Sequence, residues 1–254
     1  MRLLLTNDDG IHAPGLAALA AALAPLGDVA IVAPDRERSA TAHAITLHEP
    51  LRVEEVKRDG RLYGHAVSGT PVDCVKLAIV SLLDEPPDLV VAGINPGTNV
   101  GTNAIYSGTV SAAIEGAMCG VTSLAVSIAG PGEPDYPGAA AFARRFIQNL
   151  LANNCPTGML FNINLPDRPA ADVRGVRITR QGRLMYREEF HKRTDPQQRT
   201  YYWLGGQLPE PDEGDDAHDT DSTAVRQGYI SVTPLHYDLT DHAALDRLRS
   251  WSFE

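Results

Sequence analysis

The chain has 254 residues, room for one large domain or two small ones. With 43% hydrophobic and 21% charged residues it is a packed globular chain, not a disordered one. Its 22 Lys and Arg against 32 Asp and Glu give −10, which argues against a general grip on nucleic-acid backbones. Seven of the acids (Glu210, Asp212, Glu213, Asp215, Asp216, Asp219, Asp221) lie between Gln207 and Ser222, where there is no Lys or Arg; that stretch reads as a solvated acidic loop.

In chain order, Leu3 to Thr6 is a short apolar strand that stops at Asn7-Asp8-Asp9-Gly10. Pro14-Gly15 leads into a helix over Leu16 to Leu26, closed by Gly27, and Val29 to Ala33 is a second buried strand. Ile45 to Val56 and Arg61 to Val67 alternate as a ribbon pair around Asp59-Gly60. Thr70-Pro71 opens a helix to about Leu83, with Thr70 as N-cap. Then follow a strand at Asp88 to Ala92, a helix at Val110 to Met118, a strand at Ser123 to Ala129, a helix at Ala139 to Leu151 and a strand at Met159 to Leu165. Apolar strands alternating with helices of this length predict an α/β domain with a mainly parallel sheet and helices on both faces.

After about Arg180 the pattern changes. Leu184 to His191 and Thr200 to Leu204 read as extended, with Tyr201-Tyr202-Trp203 adjacent, so an arm that packs on a neighbouring subunit, or a lid, is expected. A strand at Tyr229 to Thr233 and a helix from Asp241 to Arg249 end the chain. The expected division is a catalytic core at 1–180, an extended arm and acidic loop at 181–222, and a C-terminal strand and helix at 223–254.

Cys74, Cys119 and Cys155 are an odd number without a C-x-x-C, which excludes a disulfide framework and favours a reducing compartment. No apolar stretch reaches membrane-spanning length and the N-terminus is no signal peptide. A cytoplasmic protein with no membrane and no nucleic-acid polymer as partner is expected.

Ligands of open parallel sheets bind outside the carboxyl ends of the strands. The first core strand delivers Asn7, Asp8 and Asp9 there, the second Asp35 to Ser39, the third Gly93-Ile94-Asn95-Pro96-Gly97-Thr98-Asn99-Val100-Gly101. Each piece alone reads as turn or loop chemistry; their common address is what makes them a site. An all-oxygen set without a Cys or His cluster suits Mg²⁺ or Mn²⁺ and suits zinc poorly. Ser107-Gly108-Thr109 directly before a helix leaves backbone N–H groups free, a phosphate seat made without Lys or Arg, although an ordinary N-cap explains the same residues. The loop is neither a Walker sequence nor a dinucleotide fingerprint.

The same residues carry a resemblance. Leu5 to Gly15, Ala33-Pro34-Asp35-Arg36 through Ser39, Ser68 to Val75, Tyr106 to Val110, Arg193 to Pro196 with Tyr201 to Gly206, and Gly228 to Leu235 are similar to the motifs of the SurE family of metal-dependent nucleotidases. The resemblance implies a Rossmann-like fold and one divalent metal ion per subunit on Asp8, Asp9, Ser39 and Asn95, with phosphate on Asn95, Ser107, Gly108 and Thr109. It implies hydrolysis of nucleoside 5′-monophosphates by metal-activated water, leaves 3′-phosphates and short polyphosphates open as further substrates, and implies a homodimer or homotetramer through the arm. Asp8, Asp9 and Asn95 are the residues expected to carry catalysis; Arg36, Arg38, His12 and His43 are nearby candidates for proton or charge work. Two positions depart from the family pattern: Ala40 stands where Gly usually follows the serine, and Asn103 where an acid is common. The rival reading is a nucleotide-sensing module that binds without turnover.

Overall fold

The computed structural model describes residues 1–130, 134–183, 187–207 and 219–252. The chain runs through β1 (Arg2–Thr6), α1 (Pro14–Leu23), β2 (Asp28–Pro34), β3 (Val53–Arg58), β4 (Arg61–Val67), α2 (Pro71–Leu77), β5 (Leu89–Pro96), α3 (Gly108–Met118), β6 (Thr122–Ile128), α4 (Tyr136–Ala152), β7 (Leu160–Leu165), β8 (Val176–Ile178), β9 (Arg187–Thr194), β10 (Thr200–Gln207), α5 (Asp221–Arg226), β11 (Ile230–Leu235) and α6 (His242–Leu248).

Nine strands form one sheet in the order β3-β4-β2-β1-β5-β6-β7-β11-β8. Among the described residues of this sheet, only β3 on β4 and β11 on β7 are antiparallel. Side chains alternate across a strand, so Leu3 and Leu5 face the core layer under α1 and α4 while Leu4 faces the layer under α2 and α3. An apolar run in β1 therefore buries both faces, as parallel strands covered by helices require. Thr70 caps α2 in a reciprocal pair with Asp73 as expected, whereas α1, α3 and α4 begin two or three residues earlier than expected, at Pro14, Gly108 and Tyr136.

From β1 the chain goes to β2 on one side and returns to β5 on the other, so the carboxyl end of β1 is a point where the winding reverses, the place where ligands of such sheets bind. Several expectations shift. Residues 45–52 are not strand; Ile45 and Leu47 are exposed and Thr46 is taken by Asp73. The alternation there reflects a loop that follows the molecular surface. The three-residue β8 and the helix α5 had no visible pattern, and α5 spans the expected boundary at 222/223. Of the extended stretch from Leu184, residues 184–186 lie outside the described ones; β9 and β10 form a separate two-stranded ribbon. Residues 208–218, most of the acidic loop, also lie outside the described residues. Among the described residues no helix is long and apolar enough to cross a membrane.

Candidate active site

The loops after β1 and β2 and the start of α3 meet around Asp8. The turn after β1 needs Gly10 at φ +97°, and a side chain there would press on the Arg36 backbone at 3.1 Å, so the first and second loops touch. Arg38 N–H donates to the Asp8 carbonyl at 2.7 Å, which fastens the residue before Ser39 to the β1 turn. On the other side α3 begins against Asp8. A Cβ on Gly108 would stand 2.9 Å from the Asp8 Cβ and 3.0 Å from its Oδ2, so only glycine permits this approach. The Thr109 hydroxyl donates to Asp8 Oδ1 at 2.5 Å, and Ser107 Oγ accepts from Val110 N–H as N-cap.

Asp8 is only 5% exposed. Burial raises its carboxyl above the ordinary aspartate range, and hydrogen bonds from Thr109 work against that rise. Asp9 is pushed up to about 7, first by burial and then by the neighbouring charges of Asp8 and Glu37. Its Oδ2 is buried and has no hydrogen-bond partner. Thr6 Oγ1 and Asn7 Oδ1 are likewise buried without partners. Adjacent carboxylates that repel each other, one with a buried oxygen lacking a donor, fit a hard divalent cation, which turns the same repulsion into attraction. Among the described residues no group of three or more His, Cys, Asp and Glu side chains gathers for a metal, so any cation held here rests on the two carboxylates with neutral oxygens.

The other expected residues are placed as follows. Ser39 is exposed and its hydroxyl donates to Glu37 Oε1 at 2.7 Å. Asn95 lies at the end of β5, next to β1, with Nδ2 on the Gly97 carbonyl at 2.7 Å, which leaves Oδ1 as the acceptor end. Thus Asp8, Gly108 and Thr109 are in direct contact, Ser39 joins through Arg38, and Asn95 reaches the same rim on the neighbouring strand. Of the four side candidates, Arg38 is engaged by the Ser68 carbonyl and Asp35, Arg36 is exposed beside Asp35, His12 is exposed, and His43 is bound to Glu115.

Two residues escaped the sequence reading. Tyr136, at the start of α4, packs against Gly15, and its hydroxyl is raised by burial and by Asp9. Nothing in the sequence around it marks it. Asp221, read above as a solvated acid, is 0% exposed. Its Oδ2 accepts from Gly101 N–H at 2.9 Å, and its Oδ1 from Gly182 N–H at 2.9 Å and Ser222 N–H at 2.7 Å. It ties the end of the third-strand loop to the segment beyond the ribbon, and that correction comes from partners as far as 120 positions away. Its own neighbourhood is acidic loop and gives no hint of this.

The family described as Survival protein SurE matches residues 3–188 of the chain. A protein of Heliobacterium modesticaldum named 5′-nucleotidase SurE is 48% identical over 252 residues, covering 99% of this chain and 92% of its own. One of the same name from Desulforudis audaxviator is 52% identical over 255 residues, covering 99% and 97%. The crystal structure of the SurE protein from Aquifex aeolicus superposes with a TM-score of 0.83 at 38% identity, covering 98% of each chain.

Proposed function

The chain belongs to the SurE family, and from that membership and the geometry at the β1 end we propose that it is a 5′-nucleotidase that hydrolyses nucleoside monophosphates with the help of one divalent cation per subunit. The carrying observation is the pair Asp8 and Asp9: Asp8 buried against the start of α3, and the half-buried Asp9 beside it with one buried oxygen unpartnered. An anion alone would be repelled from such a pair. Asp8 and Asp9, with Ser39 and Asn95, would hold Mg²⁺ or Mn²⁺. When bound, the cation supplies Lewis acidity at a phosphoryl oxygen and favours ionisation of water next to phosphorus.

The protein's own part is positional. The α3 N-terminus, with Ser107, Gly108 and Thr109, offers backbone N–H groups and dipole to phosphate oxygens. Asn95, at the same rim on the neighbouring strand β5, orients the phosphate from there. Thr109 holds Asp8 in place through its hydroxyl. Neither carboxylate is set up as a nucleophile, since Asp8 is bound by Thr109 and Asp9 sits beside it in the same cluster, so water is the attacking group. Activity on 3′-phosphates and short polyphosphates belongs to the same reading, because the seat grips only phosphate. We place the protein in the cytoplasm, with subunits joined as a homodimer or homotetramer by the β9–β10 arm.

Release of phosphate from adenosine 5′-monophosphate, measured with Mn²⁺, with Mg²⁺ and after chelation, tests the reading. Turnover that survives chelation removes the cation. Tight nucleotide binding with no turnover under any condition leaves the sensing module instead.

A further inference from the structure

The loop after β2 is fastened to α3 by a side chain that phosphate chemistry does not use. Glu115 lies two turns below the Ser107–Thr109 start of α3 and is 2% exposed. Its Oε2 meets Nε2 of His43 at 2.9 Å and its Oε1 meets Nζ of Lys76 at 2.7 Å. The carboxylate only accepts, so the imidazole nitrogen is the donor. The hydrogen bond from His43 is the largest influence that keeps the Glu115 carboxyl below its ordinary value, against burial.

What His43 restrains is a segment that does not lie easily. Ala40 and Ala42 have φ of +56° and +50°, a region that L side chains avoid. Upstream the segment is anchored by Arg38 on the Asp8 and Ser68 carbonyls. Downstream it is anchored by Ala42 N–H on the Tyr106 carbonyl at 3.2 Å and by His43 on Glu115. Ser39 and Thr41 lie between the two sets, with the Thr41 hydroxyl on the Arg38 carbonyl at 3.1 Å.

We propose that Glu115 is a positioning residue for the cation site: through His43 it holds the strained 40–43 segment on α3 and so fixes where Ser39 stands relative to Asp8 and Asp9. This rests on the reading of Ser39 as a cation ligand. Lys76 shares the carboxylate but belongs to α2, so its removal changes the charge around Glu115 without releasing the loop.

The test is calorimetric titration of Mn²⁺ alone into metal-free protein, with the melting temperature of each variant as a check on folding. His43→Ala should weaken Mn²⁺ binding about tenfold or more, as loss of an outer partner of a metal site does. His43→Gln, which keeps a donor, should recover part of it, and Lys76→Ala should stay within about twofold of the wild type. Glu115→Gln supplies a second variant should His43→Ala not fold, and it should weaken binding in the same direction. Wild-type affinity in folded His43→Ala, or an equal loss in Lys76→Ala, overturns the positioning role. A wild-type protein that takes up no Mn²⁺ overturns the cation reading itself, so the two failures are distinct.

Discussion

Asp9, a proposed cation ligand, costs stability at neutral pH in the metal-free protein. Its folded value of about 7 stands above the 3.8 of an unfolded chain, so its proton is held more tightly in the folded state. In metal-free protein this contribution to stability is greatest below about pH 4 and is lost as pH rises through 7. Asp9→Asn should remove that slope and leave the metal-free melting temperature at pH 8 unchanged or higher, while abolishing turnover and stabilisation by Mn²⁺. A large drop in metal-free stability would make the residue structural, and near-wild-type turnover would exclude it from the site. Ala40 presents the opposite case, since its φ of +56° suits glycine. Relief of roughly 1 kcal/mol of left-handed strain should offset the roughly 0.4–1 kcal/mol that glycine costs through the unfolded chain. Urea unfolding of Ala40→Gly should therefore show no loss, whereas the same change in an exposed helix costs about 1 kcal/mol.

At the scale of elements, the strand ends that gather the oxygens were legible because glycine, proline and paired acids interrupt the apolar runs of β1, β2 and β5. Residue pattern failed where long-range partners decide. Residues 45–52 alternate, yet β2 pairs with β4, leaving that stretch to lie across α2 through Thr46 and Asp73. In β8 three residues cannot display a period. The acidic run around Asp221 looks solvated because burial of a carboxylate shows only in its donors, the N–H groups of Gly101, Gly182 and Ser222. Asp221→Ala leaves these donors buried and unpaired, at about 1–3 kcal/mol each. Chemical denaturation should show a loss above about 3 kcal/mol, with the third-strand loop and the start of α5 loosened together. A solvated acid would change stability by less than about 0.5 kcal/mol, and that result would reject the clamp.

For the whole molecule the open question is what covers the ribbon of β9 and β10. Its register sets Trp203 across from His191 and Leu204 across from Phe190. Alternation then puts neighbouring aromatics on opposite faces, so no single packing surface of the same subunit can cover Tyr201, Tyr202 and Trp203 together. All of these apolar side chains are exposed, Trp203 at 62% and Phe190 at 64%. A ring of this exposure returns about 3 kcal/mol when a partner covers it, enough for a few rings to support an assembly. The same register opposes Arg187 to Gln207, so the two ends of the ribbon are adjacent and a short Gly-Ser link can replace it without pulling on the main sheet. The variant lacking 187–207 should fold, since the nine-stranded sheet takes nothing from β9 or β10. It should sediment as a smaller species than the full chain and keep its far-ultraviolet signature of mixed helix and strand. An unchanged assembly would rule out the ribbon as the joint between subunits and leave it as a lid, in which case the deletion should instead raise KM for the nucleotide with little change in sedimentation.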